Sequence, residues 1–275
     1  MSSPTSISVQ KLSRLVGTPK CPAIIDVRTD EDFAAHPRFI PGSARRSFAS
    51  AATWAPEFAG RPAVAVCQKG MKLSEGTAAW LRHSGIPADI LEGGFAAWVE
   101  AGLPLVPDAK IPPRDASGRT VWVTRSRPKI DRIACPWLIR RFVDPAAAFL
   151  FVAPAEVAAV ADRFGATPFD IEHVAWSHRG ETCTFDTMVS EFGLATEPLL
   201  RLAAIVRGAD THRLDLAPQA AGLLAASLGL SRMYADDLQQ LEAGMLLYDA
   251  FYLWCRDAVD EAHNWPSAKG LGKST

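Results

Sequence analysis

Residues 63–74 read Ala63-Val64-Ala65-Val66-Cys67-Gln68-Lys69-Gly70-Met71-Lys72-Leu73-Ser74. A short apolar run stops at a cysteine, a tight loop follows, and a helical pattern starts at about Ser74. A strand, a loop and a helix N-terminus in that order make one half of a parallel α/β unit. Ala23-Ile24-Ile25 and Asp89-Ile90-Leu91 are strand-like in the same way. Ser74 to Ser84 and Gly94 to Ala101 read as helices, closed by Gly85 and Gly102. Strands alternating with helices at this spacing predict a parallel α/β sheet for the first part of the chain.

The pattern ends at Leu103–Gly118, LPLVPDAKIPPRDASG, where four prolines resist both helix interiors and central strands. Beyond it, Val121-Trp122-Val123 reads as a short strand. A helix is expected from Cys135 to Phe142, starting near Pro136, because proline suits a first turn. Helical periodicity also marks 154–164, 185–192, 197–207, 219–228 and 234–261. The last of these is apolar on more than one side around Met245–Trp254, so it reads as a core helix. The expected organisation is a parallel α/β domain at 8–106 and a Pro-rich linker at 107–119. A mostly α (α+β) domain at 120–263 and a flexible tail at 264–275 complete it.

The chain has 275 residues, enough for two domains with cores that need no disulfides. Its 48% hydrophobic and 21% charged composition excludes wholesale disorder. A net charge of −1 is far from the basicity of a generic nucleic-acid binder, so nucleic acid is not an expected partner. The five cysteines include no CxxC pair. That argues against a disulfide framework and for a reducing compartment. No signal-peptide pattern opens the chain, and no run of about 18 apolar residues could cross a membrane. A cytoplasmic location is expected.

The loop at Cys67 carries the first chemistry. Backbone amides in a strand–loop–helix turn form an anion nest, and the helix dipole adds positive potential. Lys69 and Lys72 add cationic side chains. Each favours thiolate over thiol, so Cys67 is expected to be a nucleophile. Gly70 lets the loop close. Residues 8–106 resemble a rhodanese domain, a sulfurtransferase module. The resemblance rests on Ile25-Asp26-Val27-Arg28 with Glu31 and Phe33, and on His36 with Ile40-Pro41-Gly42-Ser43. It continues through the six-residue loop Cys67–Lys72 and Leu91-Glu92-Gly93-Gly94-Phe95-Ala96-Ala97-Trp98. It implies that Cys67 carries sulfane sulfur as a persulfide, taken from a donor such as thiosulfate. It implies that the amides of Gln68, Lys69, Gly70, Met71 and Lys72 hold the charged sulfur, with no cofactor. The last loop position, often arginine in that family, is Lys72, a point charge without a bidentate fork. Asp26 and Arg28 are read as braces of the strand end.

The second chemistry lies past the seam. Between Lys110 and Arg141 nine basic residues face only Asp115 and Asp131, with Trp122, Ile130, Ile133 and Trp137 interleaved. Then come Glu172, His173, His178, Glu181, Cys183 and Asp186, and later Asp210 and His212. The residue types alone leave three readings open: an anion or redox pocket, a metal site, or satisfied polar groups. His173, His178 and Cys183 have no standard finger spacing, and no metal is assigned. Residues 120–263 resemble the C-terminal domain of the chromate-resistance protein B (ChrB) family. The resemblance is carried by the continuous stretch Thr124–Phe142 and by Cys183-Thr184-Phe185-Asp186. Ile205–Asp210 and Met245–Arg256 extend it. It implies an oxyanion, chromate, held by Arg125, Arg132 and His173. No helix-turn-helix pattern appears in residues 1–119, so the regulatory DNA binding of some family members is not carried over. The sequence therefore predicts a sulfurtransferase working through Cys67 and coupled to an oxyanion-responsive domain. The competing expectation is a non-enzymatic oxyanion sensor with the rhodanese domain as a docking module.

Overall fold

The computed structural model describes residues 5–261, so the expected tail at 264–275 lies outside the described residues. The first half is built on a five-stranded sheet. Its spatial order is Ser6–Ile7, Ala88–Leu91, Ala63–Val66, Ala23–Asp26 and Ser43–Arg45. Every neighbouring pair is parallel. All residues of Ala23–Asp26 and Ala63–Val66 are buried, as a strand covered on both faces requires. The two faces follow the period of two. Ile24, Val64 and Val66 pack with Leu12, Phe95 and Trp98. Ile25, Ala65 and Cys67 pack on the other side with Ala78 and Leu81. Helix Lys72–His83 meets that face through Ser74, Thr77, Ala78 and Leu81, an i, i+3, i+4, i+7 stripe.

The end of Ala23–Asp26 is braced as expected. Arg28 pairs with Asp26 at 2.6 Å with both side chains buried. Its guanidinium also donates to the carbonyls of His36 and Arg38 and lies 3.6 Å from the Phe95 ring centroid. A buried pair this fully bonded costs about 3–5 kcal/mol to break from one side.

The second half holds a three-stranded parallel sheet, with Val121–Arg125 between Thr167–Pro168 and Ala148–Val152, and is otherwise mostly helical. Strand Ala148–Val152 was not anticipated. It is an apolar run inside an Ala-rich stretch whose composition favours helix. The expected helix start at Pro136 is corrected. The helix runs Asp131–Leu138 and widens into a π turn at Ile139–Val143. Its first turn is set from outside, by the Tyr248 hydroxyl on the Ile130 carbonyl and the Gln240 amide on the Pro128 carbonyl. The last helix spans Asp237–Asp257, with Asp236 accepting from the Gln239 amide as its cap. Met245, Tyr248, Tyr252 and Cys255 are buried along it.

The two halves share one hydrophobic core. Val16, Trp98 and Val106 belong to the same buried cluster as Phe142, Leu199 and Tyr252. The Gly42 amide donates to the Phe142 carbonyl at 2.6 Å. Gly17, at φ 78°, leaves room for the Phe142 ring, which a Cβ would approach to 2.2 Å. The Pro-rich seam is docked as well: Val106–Pro107 pairs with Arg38–Phe39, and Trp98 donates to the Pro104 carbonyl.

Candidate active site and a buried polar cluster

Strand Ala63–Val66 delivers Cys67 to the mouth of a loop that ends where helix Lys72–His83 begins. The loop folds back on its own sulfur. The Met71 amide donates to Cys67 Sγ at 3.3 Å, and the Cys67 amide donates to Ser74 Oγ at 2.8 Å. A second glycine-bearing turn supports the loop from below. The amides of Phe95 and Ala96 donate to the carbonyls of Cys67 and Gln68 at 2.9 and 3.0 Å. The approach tolerates no side chain. A Cβ on Gly70 (φ 65°) would stand 2.5 Å from the Leu91 carbonyl oxygen. One on Gly94 (φ 63°) would stand 2.3 Å from the Cys67 carbonyl oxygen. Gly70, expected to let the loop close, does so where it abuts the backbone of Gly93 and Gly94.

Cys67 is 5% exposed. Burial pushes its thiol up. Hydrogen bonds from the Ser74 hydroxyl and from the amides of Met71, Ser74 and Lys69 outweigh burial and hold it below its ordinary value. The sequence reading credited Lys69 and Lys72; both side chains are exposed, and hydrogen bonds dominate the environment of the sulfur. Ser74 is the residue that reading missed. Its signal was its place in the first turn of the helix, which was read only as a helix start.

The second constellation comes together differently from the expected anion cradle. Arg125 and Arg132 do converge, but on Asp170, each at 3.3 Å from its Oδ2. His173 does not join them. It sits at φ 65°, with its side chain 95% exposed and Glu172 3.9 Å away. His178 occupies the cluster instead. Its Nε2 lies 3.3 Å from Asp210, 3.4 Å from Asp170 and 3.6 Å from Asp131.

Three separate segments supply these groups. Asp131 opens a helix, Asp170 follows strand Thr167–Pro168, Asp210 ends helix Glu197–Asp210, and His178 comes from the same connection as Asp170. Thr184 ties two of them down, its amide donating to Asp131 at 2.6 Å and its hydroxyl to Asp170 at 2.9 Å. Burial, then the charges of Asp210 and Asp170, push Asp131 well above the carboxylate range. Burial acts the same way on Asp170, but hydrogen bonds from His178 and Thr184 and the two arginines hold it low. Bonds to Asp170 and Asp210 push His178 up to about 10.

Cys135 and Cys183 border this cluster, and both are fully buried. Burial and the Asp131 charge push both thiols up, and Cys183 donates to Asp186 at 3.2 Å. Burial keeps both from the exposed, lowered-pKa setting that makes a thiol a nucleophile.

Comparison with known proteins agrees with the two halves. A rhodanese-like domain model matches residues 8–101, and a model of the ChrB C-terminal domain matches residues 122–255. Protein ChrB of Cupriavidus metallidurans is 35% identical over 147 residues, 52% of this chain and 43% of that protein. The chain thus spans less than half the length of that relative. Among solved structures, a rhodanese-like domain protein from Staphylococcus aureus is 29% identical, with a TM-score of 0.31. The match covers 34% of this chain and 90% of that one. A thiosulfate sulfurtransferase from Pseudomonas aeruginosa is 26% identical over 37% of this chain and 19% of its own, with a TM-score of 0.33. Among the described residues no helix is long and apolar enough to cross a membrane. The chain joins a rhodanese-like domain, residues 8–101, to a ChrB C-terminal domain, residues 122–255.

Proposed function

We propose that the protein is a sulfurtransferase that carries sulfane sulfur on Cys67 and acts in chromate resistance. The observation that carries this reading is the sulfur of Cys67 set within 3.3 Å of the Met71 amide, in a loop that lowers its pKa. The Cys67 thiolate attacks the outer sulfur of thiosulfate. A Cys67 S–S bond forms, the sulfur–sulfur bond of the donor breaks, and sulfite leaves with the electron pair. The persulfide keeps one negative charge, which the loop amides of Gln68–Lys72 stabilise as hydrogen-bond donors. A thiophilic acceptor such as cyanide then takes the outer sulfur as thiocyanate and returns the thiolate. The likeness to Protein ChrB over the second half supports the link to chromate.

Intact-mass measurement after thiosulfate, with and without later cyanide, tests this. Wild type gains one sulfur that cyanide removes, and Cys67→Ser gains none. Absence of the gain in wild type overturns the carrier reading and favours the oxyanion sensor. In that second reading chromate would have to displace Asp170 from Arg125 and Arg132, and the buried Arg125 Nε, which has no hydrogen-bond partner, is its support. Chromate binding that survives Cys67→Ser while Arg125→Ala removes it would mark that case.

A further inference from the structure

We infer that Asp131, Asp170 and His178, with Asp210 beside His178, form a binding site for one divalent transition cation. The first argument is geometric. Ligand atoms around a first-row ion at about 2.0–2.2 Å stand roughly 3–3.6 Å from each other. The three carboxylates lie 3.3–3.6 Å from His178 Nε2. Donor atoms of Asp131, Asp170 and His178 all fall within 4.8 Å of one another. The fold gathers it from separate segments, bringing Asp131 to the connection that carries Asp170 and His178.

The second argument is independent of the cluster's shape. Asp131 is completely buried; its Oδ2 accepts from the Thr184 amide and lies 3.6 Å from His178 Nε2, while its Oδ1 has no hydrogen-bond partner. A buried carboxylate oxygen left unpaired costs about 1–3 kcal/mol or more. An ion bound to both oxygens of Asp131 would satisfy it.

The surroundings fit such a site. Thr184 fixes Asp131 and Asp170 from behind, and Arg125 and Arg132 hold the outer oxygen of Asp170. Outer hydrogen bonds of this kind aim metal ligands. His178, 41% exposed, and Asp210, 19% exposed, form the open side through which an ion would enter. The site disfavours an anion, since Asp170 already fills the space between the two arginines and two more carboxylates face it. Carboxylate oxygens and one imidazole suit Mn(II), Fe(II) or Zn(II) rather than soft Cu(I). Cys183 is not a donor, because its thiol is engaged by Asp186.

The test is titration of chelator-treated full-length protein with Mn(II), followed by electron paramagnetic resonance, and with Zn(II), followed by calorimetry. Wild type binds one equivalent of at least one of the two ions, and its Tm rises on binding. Asp131→Asn keeps an acceptor for the Thr184 amide and weakens binding about 100-fold or more. His178→Gln, at a half-exposed position where folding is tolerant, does the same. His173→Ala binds like wild type. Failure of the wild type to bind either ion at stoichiometry overturns the site, as does unchanged binding in both Asp131→Asn and His178→Gln. Neither outcome bears on sulfur loading at Cys67.

Discussion

At the cysteine, Ser74 works in two directions. Its oxygen accepts the Cys67 amide, and its hydroxyl proton is directed to the sulfur. In Ser74→Ala the thiolate loses one charge-assisted hydrogen bond and the Cys67 amide loses its acceptor. The folded thiol titrates below its ordinary value, so removing a donor must move it up. The midpoint of Cys67 alkylation against pH is expected to rise by about one pH unit. Alkylation at neutral pH then slows about tenfold, and rates of iodoacetamide labelling across pH check this. An unchanged midpoint would mean that the amides alone set the thiol. Cys67 was legible in the sequence because strand, loop and helix lie within one short stretch. Asp170 was not, because its partners are residues 125, 132, 178 and 184, which only the fold brings together. For the same reason His173, adjacent to the cluster in sequence, ends at the surface while His178 turns in.

At the scale of elements, the sulfur loop exists because a second turn presses against it without side chains. Gly94→Ala would place a methyl within 2.3 Å of two backbone atoms of the loop, at a φ unfavourable for alanine. A destabilisation of about 1–3 kcal/mol is expected, together with a large loss of sulfur loading. Denaturant unfolding and intact mass would read the two effects separately. Normal loading in a folded Gly94→Ala would show that the loop can form without this support. Elements with strong local signals were readable. The strands Ala23–Asp26 and Ala63–Val66 are all apolar up to their last residue, and Gly85 and Gly102 stop helices at positive φ. The helix Asp131–Leu138 was misplaced because proline usually marks a first turn, whereas contacts from Gln240 and Tyr248 start this one earlier. Strand Ala148–Val152 was hidden because pairing with Val121–Arg125, not its own composition, makes it a strand.

At the scale of the whole molecule, the chain holds two domain types joined through one shared core cluster. Phe142 sits at their junction against Gly17, Trp137 and Tyr252. Calorimetry should therefore show one unfolding transition rather than two. Phe142→Ala should cost about 3–5 kcal/mol, lowering the whole transition by about 10 °C for a chain of this size. Two separated transitions in wild type would contradict the shared core. The sequence pointed to a Pro-rich linker at this junction, since prolines exclude regular structure. It could not show that Val106 and Trp98 would anchor that segment.

The bond from the Gly42 amide to the Phe142 carbonyl, with the ring of Phe142 seated over Gly17, has a consequence for sulfur traffic. Many group-transfer proteins move their cargo on a tethered arm that travels between stations. Cys67 belongs to a body keyed into its neighbour at backbone level, and so in the proposed function it would be a fixed berth. An acceptor of its sulfur would then have to come alongside, and the opening at the loop, not the reach of a linker, would decide which acceptors can be served.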